Sequence, residues 1–174
     1  MNKVSGKRRA ICLLLLATIL LTLLFIFGNS FASPQESEEL SDQVNETVGE
    51  IIAVVTGKED SSIKAFFDQY HRKIAHFLEF ACLGLQIVLL LHFADRRSFP
   101  YLLSGAFLSF VVASADEGIQ MLTGRGDQVA DVFIDVGGYL CAYFSGMLVL
   151  YLVCWRCHRK RLTAIPHEKE SVRI

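Results

Sequence analysis

Residues 10–27 form an uninterrupted uncharged run dominated by Leu, Ile and Phe. Wound as an α-helix it rises about 27 Å, close to the roughly 30 Å hydrocarbon core of a bilayer. Three more apolar stretches follow, near residues 74–93, 101–122 and 129–155. Only residues 94–100 and 123–128 separate the last three, so neighbouring helices must run antiparallel. These runs predict an all-α integral membrane protein: a four-transmembrane-helix bundle with an amphipathic helical extracytoplasmic segment between spans 1 and 2.

Composition agrees, at 52% hydrophobic and only 20% charged residues. The formal charge of −1 is a cancellation between blocks. Residues 1–9 carry Lys3, Lys7, Arg8 and Arg9 and no acid. Residues 28–70 carry nine acids against Lys58 and Lys64. From residue 156 onward there are six basic groups and two acids. Such a distribution gives no global basicity for nucleic-acid binding.

Five regions follow: a basic cytoplasmic N-terminus (1–9), a first helix or signal anchor (10–27), an acidic extracytoplasmic segment (28–73), a core of three further helices (74–155) and a basic cytoplasmic tail (156–174). The rival reading of the first run is a cleaved secretory signal, with Ser30-Phe31-Ala32 ahead of Ser33 as the small-residue site. Both readings place Ser33 onward outside. Basic residues favour the cytoplasmic side. Arg96 and Arg97 lie in the second inner loop, and Arg156, Arg159, Lys160 and Arg161 flank the last span, so both termini are expected inside.

Within the outer segment, Leu40, Val44, Val48, Ile51, Ile52 and Val55 recur at helical spacing, and Gly57 suits a stop. Ile63, Phe66, Phe67, Tyr70 and Ile74 make a second stripe entering the next span. A surface-lying or bundle-capping role explains both stripes without a partner. None of the five cysteines falls in an outer loop, so no disulfide framework is expected. Cys154-Trp155-Arg156-Cys157-His158 has the spacing of covalent haem attachment, but its expected inner, basic setting argues against haem.

Ionisable residues inside the apolar stretches cost roughly 2.5–3.5 kcal/mol each at a helix centre on insertion scales. The second span opens with His76 and Glu79, the third ends with Asp116 and Glu117, and the fourth opens with Asp131 and Asp135. Antiparallel topology brings all six to the outer end of the bundle. His76 and Glu79 are three apart and share a face, continued by Leu83 and Gln86; Asp116 and Glu117 share theirs with Gln120. The stripe of Asp131 and Asp135 continues through Gly138, Ala142 and Gly146, a small-residue row that lets membrane helices approach closely. Gly105 and Ser109 lie below Asp116, and Arg72, Lys73 and Arg125 sit at the rim, where they can neutralise carboxylates.

A buried network holding helices in register is the bland reading of these groups. A site is the sharper one, because packing does not require five carboxylates, an imidazole and three cations in one layer. His76, Glu79 and Glu117 are the candidates for acid–base chemistry. His76 with Glu79, Glu117 and Asp131 offers donor types that suit a divalent metal, though no compact metal motif is present. Arg72, Lys73, Asp116, Gln120, Arg125, Asp131 and Asp135 are the candidate ligand-binding groups, with arginines suited to phosphate or carboxylate.

The series Arg72-Lys73-Ile74-Ala75-His76-Phe77-Leu78-Glu79-Phe80, Asp116-Glu117-Gly118-Ile119-Gln120, Gly124-Arg125 and Asp131-Val132-Phe133-Ile134-Asp135 with Gly138 resembles the motifs of the VanZ-like family. Asn29-Ser30 and the serines Ser37 and Ser41 resemble that family's outer segment, and the likeness extends over residues 24–146. Thr123, Ile119 and Ala142 depart from it, standing where members often carry Pro, His and Gly. The resemblance implies a small multi-pass protein of the bacterial cytoplasmic membrane and cell envelope. It brings the theme of glycopeptide tolerance, teicoplanin in particular, without a reaction. Partners expected on this footing are the lipid bilayer and a lipid-linked envelope precursor or glycopeptide-related ligand. A membrane-embedded hydrolase or transferase, and a non-catalytic accessory bundle of an envelope complex, stand as alternatives.

Overall fold

The computed structural model describes residues 6–31, 47, 61–124 and 129–163. Four helices account for nearly all of them: α1 (Gly6–Phe31), α2 (Ser61–Phe93), α3 (Phe99–Leu122) and α4 (Val129–Thr163). No strand occurs among the described residues. Each helix contains a segment long and apolar enough to cross a membrane: Gly6–Phe31, Tyr70–Phe93, Phe99–Leu122 and Ala130–Lys160. The protein is a multi-pass membrane protein, as the four apolar runs required.

The helices are longer than the apolar runs that announced them. In particular, α1 continues through Gly28, Asn29 and Ser30 to Phe31, and α4 continues into the basic tail. A helix does not stop where hydrophobicity stops; it stops where capping chemistry or chain reversal intervenes. Between α2 and α3 the reversal takes five residues and uses Asp95 at φ 59. Pro100 in the first turn of α3 pre-sets its helical φ, since that turn has no partner for a missing N–H. At the far end of α3, Gly124 at φ 76 breaks the helix. The amphipathic stretch at residues 35–56, with Ser37 and Ser41, lies outside the described residues apart from Thr47, and so does Arg125.

Packing is uneven around the bundle. The contact of α2 with α4 is the most extensive, and α1 leans on α2 and α3. Large apolar side chains of α1 such as Leu13, Leu14, Leu20, Leu21 and Phe25 remain exposed, as a lipid-facing surface requires. Its inward face is Ile19, Ile26 and Ser30, at spacings of seven and four. The core below the polar groups consists of Phe80, Leu83, Ile87 and Val88 from α2, Val112 and Ala113 from α3, and Val136, Tyr139 and Tyr143 from α4.

Two glycines explain why α2 and α4 pack so closely. A Cβ at Gly138 would collide with the carbonyl oxygen of Phe77, and one at Gly84 with the carbonyl oxygen of Tyr139. Backbones thus touch directly, as small residues permit in membrane bundles. The expected row holds: Gly138 and Gly146 are buried and Ala142 is half-buried. Tyr139 and Tyr143 then tie α4 to α3 by donating their hydroxyls to the carbonyls of Gly105 (2.7 Å) and Leu102 (3.0 Å). At the opposite end the helices enclose an open, largely apolar cleft of about 300 Å³, lined by residues including Val88, Leu91, Met147 and Leu150, with His92 and Arg97.

Candidate functional site

The polar site lies where α1 and α3 end and α2 and α4 begin. His76 opens the transmembrane part of α2. Its Nδ1 faces Asp135 Oδ1 on α4 at 3.4 Å and Asp116 Oδ2 on α3 at 3.9 Å. Both carboxylates have no exposure at all, whereas the His76 side chain keeps 21%. The candidate ligand atoms of His76, Asp116 and Asp135 all lie within 4.8 Å of one another. Three helices distant in sequence therefore meet at one point.

The two aspartates are treated differently by their surroundings. Asp116 is held from two sides: Ser30 Oγ on α1 donates to Oδ1, and Gln120 Nε2, one turn along α3, donates to Oδ2 at 2.8 Å. Thr123 adds a link between the same two helices by donating its hydroxyl to the Ser30 carbonyl at 3.2 Å. Asp135 has only the ion-pair contact with His76; neither of its oxygens meets hydrogen-bond geometry with a described residue. His76 is close but not aligned for a hydrogen bond, and its Nδ1 is also without one. A buried carboxylate normally collects donors, because desolvation otherwise costs several kcal/mol. Asp135 departs from that rule.

The remaining candidates surround this centre. Glu79 is half-buried and accepts from Asn29 Nδ2 of α1 at 3.4 Å. Glu117 and Gln120 are buried, and Asp131 is half-buried in the first turn of α4, where its charge suits the helix dipole. Arg72 is exposed and Lys73 half-buried at the rim. Neither forms a salt bridge with a described carboxylate. Further down α2, Gln86 donates to Thr22 of α1 at 3.0 Å rather than joining the cluster.

The grouping of donor atoms also differs from the sequence-based expectation. The expected set was His76 with Glu79, Glu117 and Asp131, whereas the atoms within reach of one small ion belong to His76, Asp116 and Asp135. Adjacent residues on a helix point about 100° apart, so the rotation of α3 decides between Asp116 and Glu117, and rotation follows from packing. Ser30 and Asn29 were not among the candidate site residues. Their signal was present: a polar pair closing an otherwise apolar run.

A family model described as VanZ/LLP1 matches residues 13–156. The chain belongs to the VanZ/LLP1 family. No curated protein and no solved structure matches it. The match takes in α2 and α3 whole, most of α1 and α4 and every group of the polar site, and leaves out the basic start and most of the basic tail. In this VanZ/LLP1 protein α1 is part of the packed unit, since Ser30 completes the environment of Asp116.

Proposed function

We propose that this VanZ/LLP1 protein binds the head group of a lipid-linked or cell-wall component at the polar end of its bundle, and thereby contributes to glycopeptide tolerance. In this reading the polar end faces out of the cell, with both termini in the cytoplasm of a bacterium. The basic residues at the two chain ends and at Arg96 and Arg97 support that orientation.

The observation that carries the reading is the layered arrangement of the polar groups. Buried Asp116 and Asp135 form the floor, partly accessible His76, Glu79 and Asp131 stand above them, and the cations Arg72 and Lys73 occupy the rim. Carboxylates accept from hydroxyl, amide and ammonium groups. Rim cations attract phosphates, and Arg125 adds a third by its sequence position. A lipid-linked envelope precursor carries both kinds of group, and its lipid tail would rest in the bilayer beside the bundle. A scaffold needs neither the accessible upper layer nor the rim.

Equilibrium binding tests this reading. Wild-type protein in nanodiscs should bind a fluorescent lipid-linked disaccharide-peptide saturably and in preference to phosphatidylglycerol. His76→Ala and Asp131→Asn should each weaken binding by at least about tenfold while leaving insertion intact, the size expected for one lost charge-assisted hydrogen bond. Absence of saturable binding by wild type, or unchanged binding in both variants, would leave the accessory-bundle reading. Turnover of the bound precursor would instead favour a hydrolase or transferase.

A further inference from the structure

We infer that His76, Asp116 and Asp135 form a binding site for one divalent transition-metal ion, completed by one or more open positions toward the accessible side. This goes beyond the binding reading above and stands on separate observations.

The first is geometry. A metal held by imidazole and carboxylate ligands at bond lengths of about 2.0–2.2 Å in a tetrahedral arrangement separates those ligand atoms by roughly 3.3 Å. His76 Nδ1 lies 3.4 Å from Asp135 Oδ1 and 3.9 Å from Asp116 Oδ2. All three ligand atoms lie within 4.8 Å of one another, so an ion between them requires Asp116 to move inward toward the other two. The second observation is the bare carboxylate. Asp135 is fully buried, is aimed at His76, and has both oxygens without a hydrogen-bond partner among the described residues. His76 Nδ1, directed at the same point, is likewise without one. Two carboxylates and an imidazole thus present three donor atoms at one point, and a divalent cation there would supply the bare Asp135 oxygens with the partner they lack.

The third observation is the support around the site. Ligating carboxylates are usually fixed by hydrogen bonds from a surrounding shell. Asp116 has that shell in Ser30 and Gln120, from α1 and α3, so all four helices take part. The oxygen facing His76 accepts from Gln120, which fixes its direction. One nitrogen and two oxygens favour zinc, cobalt or manganese over calcium and magnesium, which prefer all-oxygen sites. With three protein ligands, such an ion keeps a position for water or for an oxygen of a bound molecule.

Metal loading without any lipid ligand tests the inference. Protein purified without a polyhistidine tag, stripped with EDTA and loaded with Co²⁺ in nanodiscs should hold about one ion per chain, in the manner of a single three-ligand site. It should show the visible d–d absorption of low-coordinate cobalt, and Zn²⁺ should bleach that absorption. Asp135→Asn and His76→Ala should lower the affinity by about a hundredfold or more, and Ser30→Ala by about tenfold through the supporting shell. Cys154→Ser with Cys157→Ser removes two exposed thiols, the obvious rival ligands, and should leave loading within about twofold. Wild type that holds no cobalt, or cobalt that disappears with the two cysteines, would overturn the site, whether or not Asp135→Asn folds. Because no precursor is present, this result is separate from the success or failure of precursor binding.

Discussion

At the polar end of the bundle, α2 and α4 touch backbone to backbone through Gly138 and Gly84, and the innermost carboxylates of that end, Asp116 and Asp135, are sealed from solvent. At the other end, the same helices stand apart around an open cleft whose walls are mostly apolar and whose charged groups, such as Arg97, are about half exposed. Close packing therefore coincides with the residues that are costly to bury, and looseness with those that are cheap to expose. That is the reverse of what stability alone would select, because a tight apolar end with a loose polar end would cost less desolvation. The contrast is the reason to treat the polar end, and not the apolar cleft, as the site.

Substitutions can break this contrast in a definite order. Gly138→Val should have the largest effect, since no side chain fits against the Phe77 carbonyl. The helices must separate, at a cost of about 3 kcal/mol or more, and thermal unfolding in detergent should show a large fall in midpoint. Asp116→Ala comes next. It leaves the buried Gln120 amide without its acceptor and opens a small cavity, together costing about 2 kcal/mol by the same measurement. Ser30→Ala should cost about 1 kcal/mol, and a double-mutant cycle with Asp116→Ala should show the two changes to be non-additive. Smallest is Arg97→Gln at the cleft end, where the ion pair with Asp95 spans 3.9 Å between half-exposed groups. A change within about 0.5 kcal/mol is expected there. Reversal of the order, with Arg97 outweighing Ser30, would sink the distinction between the ends.

Much of the architecture was legible from the chain. The four apolar runs and their short connections dictated an antiparallel bundle, and that topology alone carried His76, Asp116 and Asp135 to one end. The row from Gly138 to Gly146 correctly marked the packed face of α4. Other features depend on how helices rotate and where they stop. Spacing puts Asp116 and Glu117 on neighbouring faces but does not say which of them meets His76. Gly84 is one glycine among many in a sequence, and its role appears only once the Tyr139 carbonyl is set against it. Hydropathy ends at Phe27 and assigns Ser30 to the extracytoplasmic segment, while the helix itself runs on to Phe31.

The central claim is that Asp135 is retained for what it binds and not for the fold it supports. Thermal unfolding of the double variant Asp135→Leu with His76→Leu beside wild type, both stripped of metal with EDTA, tests this most directly. Removing the carboxylate alone would strand His76, its partner at 3.4 Å, whereas a buried charged pair exchanged whole for apolar groups is often neutral or stabilising by about 1–4 kcal/mol. An unfolding midpoint for the double variant equal to or above that of wild type is expected. A clear fall in that midpoint would show that the His76–Asp135 pair holds the bundle together, and would contradict the account.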